Sequence, residues 1–146
     1  MMLDAIDKKI VQLLAANGRM PNQKLAEKVG LSQSACSRRV KILEDRGIIQ
    51  GYEAKIDRKA LGLSLTIIVQ IGLEKHDRSA AEAFEFAVKK LNNVFSCEMV
   101  SGRDDYIIRM GARDIEDYGR IHREQLSQLP GVARIESTFA VLKVID

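Results

Sequence analysis

Ser34, Ser37, Arg38 and Lys41 recur at helical spacing and would share one face of a helix, hydroxyls and cations with no acid among them. Such a face can donate hydrogen bonds to base edges and phosphate oxygens, chemistry that suits the major groove of double-stranded DNA. Ser32 and Gln33 at the head of the stretch and Arg39 within it complete the candidate DNA contacts. A charged helix face taken alone is most simply a solvated one. The decision rests on the elements that hold it.

The spacing predicts a helix over residues 31–46, with Cys36, Val40 and Leu43 as a narrow apolar stripe and Ser32 as its N-cap. Residues 21–29 read as a short helix turning Leu25, Ala26 and Val29 inward, and Gly30 supplies the turn between the two. Two short helices across a tight turn, the second with a basic outer face, make a helix-turn-helix. Asp4 caps an earlier helix carrying Ile6, Ile10, Leu13 and Leu14, which Asn17-Gly18 ends. Three such helices form a thin core that must lean on a neighbour. Ile48, Ile49, Tyr52, Ala54 and Ile56 then predict a short strand, which must pair as a wing or with the same strand of a second chain.

Charge follows this division. The chain has 146 residues and a net charge of +3, but its first 60 residues hold 12 Lys/Arg against 7 Asp/Glu, and the remainder 11 against 13. A basic amino-terminal part on a mildly acidic remainder fits a nucleic-acid module joined to something else. With 46% hydrophobic and 29% charged residues the chain is globular rather than disordered. Cys36 and Cys97 lie far apart with no ligand spacing, so no metal site and no disulfide framework is expected, and no cofactor. Nothing resembles a membrane span or a signal peptide, and the expected location is the cytoplasm.

Residues 63–146 alternate strands and helices. A strand over 63–73 places Leu65, Ile67, Val69 and Ile71 on one face, and a helix over 77–92 turns Ala80, Phe84, Ala87, Val88 and Leu91 inward. Strands over 94–100 and 105–112 flank a turn at 101–104. Asp114 caps a helix with Ile115, Tyr118, Ile121, Leu126 and Leu129, and Pro130-Gly131 leads to a strand over 132–144. The order βαββαβ predicts a ferredoxin-like four-stranded antiparallel sheet with both helices on one side. The whole chain is thus α+β, with a helix-turn-helix, winged-helix-like domain at 1–47, a strand and linker at 48–62, and the sheet domain at 63–146. The uncovered sheet face would carry Ile68, Ile107, Ala140, Leu142 and Val144 among Thr66, Gln70, Arg109 and Thr138, which calls for a second copy as cover.

Along essentially its whole length the chain resembles the Lrp/AsnC (leucine-responsive regulator / asparagine-synthetase regulator) transcription regulators. The matching stretches are LDAIDKKIVQLLAANGR, LAEKVGLSQSACSRRVKILEDRGII, YEAKID, SGRDDY and STFAVLK. The resemblance implies a sequence-specific DNA-binding regulator whose dimers assemble further, to an octamer, with a small effector, usually an amino acid, bound between dimers. The family's effector loop corresponds to residues 100–106. Gly102, Asp105 and Tyr106 fall on its glycine, acid and aromatic positions, and Ser101, Arg103 and Asp104 complete it. Ser137 and Thr138 match the opposite wall. Arg103 and Asp104 depart from the family's usual residues there, as Pro21 does at the head of the second helix. Physically, a glycine turn can offer backbone N–H groups to a carboxylate while Asp104 or Asp105 pairs with an ammonium.

A competing reading is an enzyme. The tetrapyrrole-precursor (sirohaem) decarboxylases are similar in two-domain fold, and catalysis there would need His or Arg groups lining a large cleft. Only His76 and His122 are present, in a loop and on a helix's polar side. No catalytic set is expected.

Overall fold

The computed structural model describes residues 2–145. They form two compact units that divide between Lys55 and Ile56, so the expected linker at 48–62 is split between them.

The first unit is three helices, α1 (Ala5–Ala16), α2 (Asn22–Val29) and α3 (Gln33–Asp45). Asp4 caps α1 by accepting from the Asp7 N–H at 2.8 Å, and Ser32 caps α3 by accepting from the Ala35 N–H at 3.2 Å. Between α2 and α3 the chain reverses at Gly30, whose N–H closes onto the last carbonyls of α2. Ile10, Leu14, Leu25, Ala26, Cys36 and Leu43 make the buried centre, with Ile6, Leu13, Val29, Val40, Ile48 and Ile49 partly buried around it.

The strand expected near Tyr52 does not form, and no wing appears among the described residues of this unit. The N–H groups of Ile48 and Ile49 turn back to the Leu43 carbonyl at 2.9 and 3.1 Å, closing the end of α3. The Tyr52 hydroxyl donates to Glu44 at 2.8 Å. An extended segment without a partner strand has no ladder to join, and one chain offers it none.

The second unit runs β1 (Leu65–Leu73), α4 (Arg78–Val88), β2 (Val94–Met99), β3 (Tyr106–Ala112), α5 (Ile115–Glu124), a 3₁₀ turn (Leu126–Gln128) and β4 (Val132–Phe139). The strands lie in the order β2-β3-β1-β4 with every pair antiparallel. One sheet face and the helices bury Ile67, Val69, Ile71, Phe84, Tyr106, Ile108, Met110 and Leu126. Removing a side chain as large as Phe84 from such a core costs about 3–5 kcal/mol. Part of the linker belongs here too, since the Arg58 guanidinium lies 3.4 Å over the Phe95 ring.

Apart from shifts of one or two residues at element ends, the second unit departs from the sequence reading in these places. The last strand stops at Phe139 rather than 144: the Ala140 N–H still bonds the Thr66 carbonyl at 2.9 Å, but β1 begins at Leu65, and Leu142 and Val144 beyond it are exposed rather than on the sheet. Ile115 is exposed at the first turn of α5, while Leu126 and Leu129 reach the core from the 3₁₀ turn and its end. The fourth helix ends at Val88, and Leu91 packs from the turn that follows.

Asp117, buried on α5, is held by charge. It accepts from the Arg113 N–H at 3.0 Å, from the Arg120 guanidinium at 2.7 Å and from that of Arg113 at 3.3 Å. These donors, the Arg113 N–H foremost, hold its carboxyl well below the usual carboxylate range. A depressed native pKa contributes stability above the unfolded value, 3.8 for Asp, and loses it as pH falls toward the native one. Asp117→Asn should therefore lower the melting temperature at neutral pH and converge on the parent in strong acid. Melting curves across that range that stay parallel would contradict this account.

Candidate functional site

On α3 the candidate DNA contacts separate into three groups. Gln33, Ser34, Ser37, Arg38 and Lys41 are exposed. Arg38 forms no ion pair among the described residues, and the Lys41 contact to Asp45 at 3.4 Å is wide and solvated, so both cations are available to a polyanion. Ser32 is occupied as the N-cap, and the Gln33 carbonyl accepts from the Asn22 side chain at 2.9 Å, fastening the start of α3 to α2. Arg39 is turned the other way. Its guanidinium lies 2.7 Å from both Asp4 and Asp7 at the start of α1, which leaves its charge already paired.

In the second unit the turn of residues 101–104 joins β2 to β3. Gly102 sits at φ +135°, a conformation closed to side-chain-bearing residues at low cost. The N–H groups of residues 101–104 make no hydrogen bond among the described residues, whereas Val100 and Asp105 on either side are bonded to Asp105 and Ile71 carbonyls. Four successive free N–H groups are a place for an anion.

The two acids of the turn are engaged unequally. Asp104 is fully used, with one oxygen 2.7 Å from the Arg134 guanidinium and the other accepting from Gln70 at 3.0 Å. Asp105 accepts from the Leu73 N–H at 2.7 Å and meets the His76 ring at 3.2 Å with the same oxygen, so its Oδ1 keeps room for a cation. Arg103 makes no pair with Asp104; Arg134 takes that place and also donates to the Arg103 carbonyl at 3.1 Å. The Arg134 guanidinium lies flat on Gly72, where a Cβ would come within 2.9 Å of Nη2.

Tyr106 leaves the turn for the core. Its ring stacks 4.5 Å from Phe84 and its hydroxyl donates to Glu85 at 2.7 Å, and burial with that carboxylate pushes its pKa upward. Ser137 and Thr138 do not share a wall. Ser137 is hydrogen-bonded to the Tyr118 hydroxyl on the helix side, and Thr138 lies opposite Ile68 on the other face. Sequence reasoning missed Gln70, Gly72, His76 and Arg134, since 30 or more residues separate most of them from the loop and no local pattern marks them.

Residues 66–146 match the Lrp/AsnC ligand binding domain, and residues 3–50 match a winged helix-turn-helix DNA-binding domain. The chain belongs to the Lrp/AsnC family. It is 37% identical over 145 residues to the proline dehydrogenase transcriptional activator of Rhodobacter capsulatus, covering 99% of this chain and 94% of that one. It is 39% identical over 130 residues to the leucine-responsive regulatory protein of Escherichia coli, covering 89% and 79%. Among solved structures, a transcriptional regulator of Neisseria meningitidis in complex with L-Met superposes with a TM-score of 0.93 at 33% identity, covering 99% and 94%. Like these family members, the chain is a transcription regulator, with a helix-turn-helix for DNA and a domain for a small ligand. The relatives are named as regulators, and the decarboxylase alternative finds no support among them. No helix among the described residues is long and apolar enough to cross a membrane.

Proposed function

We propose that this regulator reads DNA with the exposed face of α3 and answers to an amino acid held by the turn of residues 101–104. The carrying observation is the run of free N–H groups there, with Asp105 Oδ1 beside it. The effector carboxylate would take the N–H groups and its ammonium would take Asp105, the two ends of a zwitterion met by opposite charges. The L-Met complex of the Neisseria relative supports an amino acid as the ligand class. Ser101, Gly102 and Arg103 would then touch the ligand, while Asp104 and Arg134 brace the turn from below.

A second copy on the outer sheet face would complete the assembly, as a homodimer that associates further, and the protein would act in the cytoplasm where DNA is accessible. Effector binding between dimers would bias that association and so change DNA occupancy.

The test is isothermal titration of a panel of L-amino acids into the parent and Asp105→Asn. That substitution leaves an oxygen for the Leu73 N–H and removes the charge. At least one amino acid should bind the parent, and about tenfold or more weakly the variant, since a charge-assisted bond is worth about 1.5–3 kcal/mol. No heat from any amino acid would remove this turn as an effector site, and equal affinity would remove Asp105.

A further inference from the structure

Arg39 carries the type and position of a DNA contact, yet the fold gives its charge to α1. It follows Arg38 by one residue, about a quarter turn around the helix axis. Its Nη1 lies 2.7 Å from Asp4 Oδ2 and 2.7 Å from Asp7 Oδ1. Asp4 serves twice, since its other oxygen caps α1 by accepting from the Asp7 N–H. The Asp7 side chain is 16% exposed and that of Arg39 32%, so the pair is partly withdrawn from water and less screened than a surface contact. The contact joins residues 32 and 35 apart in sequence and ties the middle of α3 to the first turn of α1.

We infer that Arg39 is a positioning residue: with Asp4 and Asp7 it sets the roll of α3, and so where Arg38, Ser34 and Ser37 meet the bases, without touching DNA itself. The inference rests on α3 being the DNA-reading helix. A helix lying in a groove must hold its base-reading side chains in fixed directions, and the buried stripe of α3, with Cys36 and Leu43 fully covered, is narrow. Apolar contacts of that kind resist separation of helices better than they resist rolling, because they are not directional. An ion pair shared by two carboxylates is directional, and it sits on the flank of that stripe.

Two signs separate this role from a phosphate contact. A phosphate-bound Arg39 contributes about 0.9 to the slope of log affinity against log salt, and a positioning Arg39 contributes nothing. The carboxylates supply the second sign. Neutralising Asp4 and Asp7 removes negative charge near a polyanion and by simple electrostatics should tighten binding. If they hold α3 in place, the same change should weaken it.

The experiment uses the full chain and a duplex selected by the parent from a random-sequence pool, with a scrambled duplex as the non-specific reference. Binding is measured across a salt series for the parent, Arg39→Ala, Arg39→Lys, Arg38→Ala and the double variant Asp4→Asn, Asp7→Asn. Asn caps helices as well as Asp does, so the double variant keeps α1, which circular dichroism checks. Expected are an Arg39→Ala affinity for the selected duplex reduced about tenfold with the salt slope unchanged, partial recovery in Arg39→Lys, and weaker selected-site binding in the double variant with scrambled-duplex binding unchanged or tighter. A slope lowered by about one in Arg39→Ala, or tighter selected-site binding in the double variant, would overturn the positioning role and return Arg39 to the DNA contacts. A parent that selects no sequence overturns the DNA-reading assignment of α3 and this inference with it. Arg38→Ala separates the two: if it weakens selected binding while Arg39→Ala and the double variant do not, α3 reads DNA and Arg39 plays no part in placing it.

Discussion

Arg38→Ala combined with Lys41→Ala is expected to weaken binding to a selected duplex and to narrow its margin over a scrambled one at physiological salt. Both side chains are exposed on α3, and neither is withdrawn into a strong pair. A base-reading arginine is worth about 1–3 kcal/mol of discrimination, and a phosphate-bound lysine adds affinity on every sequence. The loss therefore has two parts that one salt series separates. If Arg38 reads a base and Lys41 holds a phosphate, specificity falls and the salt slope drops by about one; if both hold phosphates, it drops by about two and specificity survives. Gel shifts in which the double variant binds as tightly as the parent would place DNA on some other surface.

Ile68→Lys is expected to reduce the size of the assembly. Ile68 is partly buried on the outer face of β1, between Arg109 of β3 and Thr138 of β4, and makes no part of the helix-side core. A lysine there leaves the chain's own fold intact and sets a second cation beside Arg109. Burying that charge under a second copy costs several kcal/mol. The exposed apolar residues Val141, Leu142, Val144 and Ile145 beyond the end of β4 also lack cover within one chain. Sedimentation should show the parent as a dimer or larger and the variant shifted toward monomer, with weaker binding to paired half-sites. A parent that sediments as a monomer at micromolar concentration would refute assembly through this face.

Local chemistry determined much of this protein before any contact across the chain was considered. The caps Asp4, Ser32 and Asp114, the Gly30 reversal and the 3.6-residue stripe of α3 depend on neighbours a few residues away, so their positions are legible in the sequence. So is the order of strands and helices after residue 63, because alternation with period two reports a half-buried strand wherever its partner lies. What the second strand of a pair does is another matter. Residues 48–56 and 141–144 have strand-like alternation but form no strand in one chain, and the Ile48 and Ile49 N–H groups turn back to the Leu43 carbonyl instead. Side-chain partnerships across the fold were likewise closed to sequence reasoning. Arg39 reads as a DNA contact until Asp4 and Asp7 are brought beside it, and Asp104 reads as a ligand acid until Arg134 and Gln70 occupy both its oxygens. Charges pair with whatever opposite charge the packing delivers within a few ångströms, and sequence distance does not enter that energy. The tertiary structure therefore decided which ionic side chains remain free to meet DNA or a ligand.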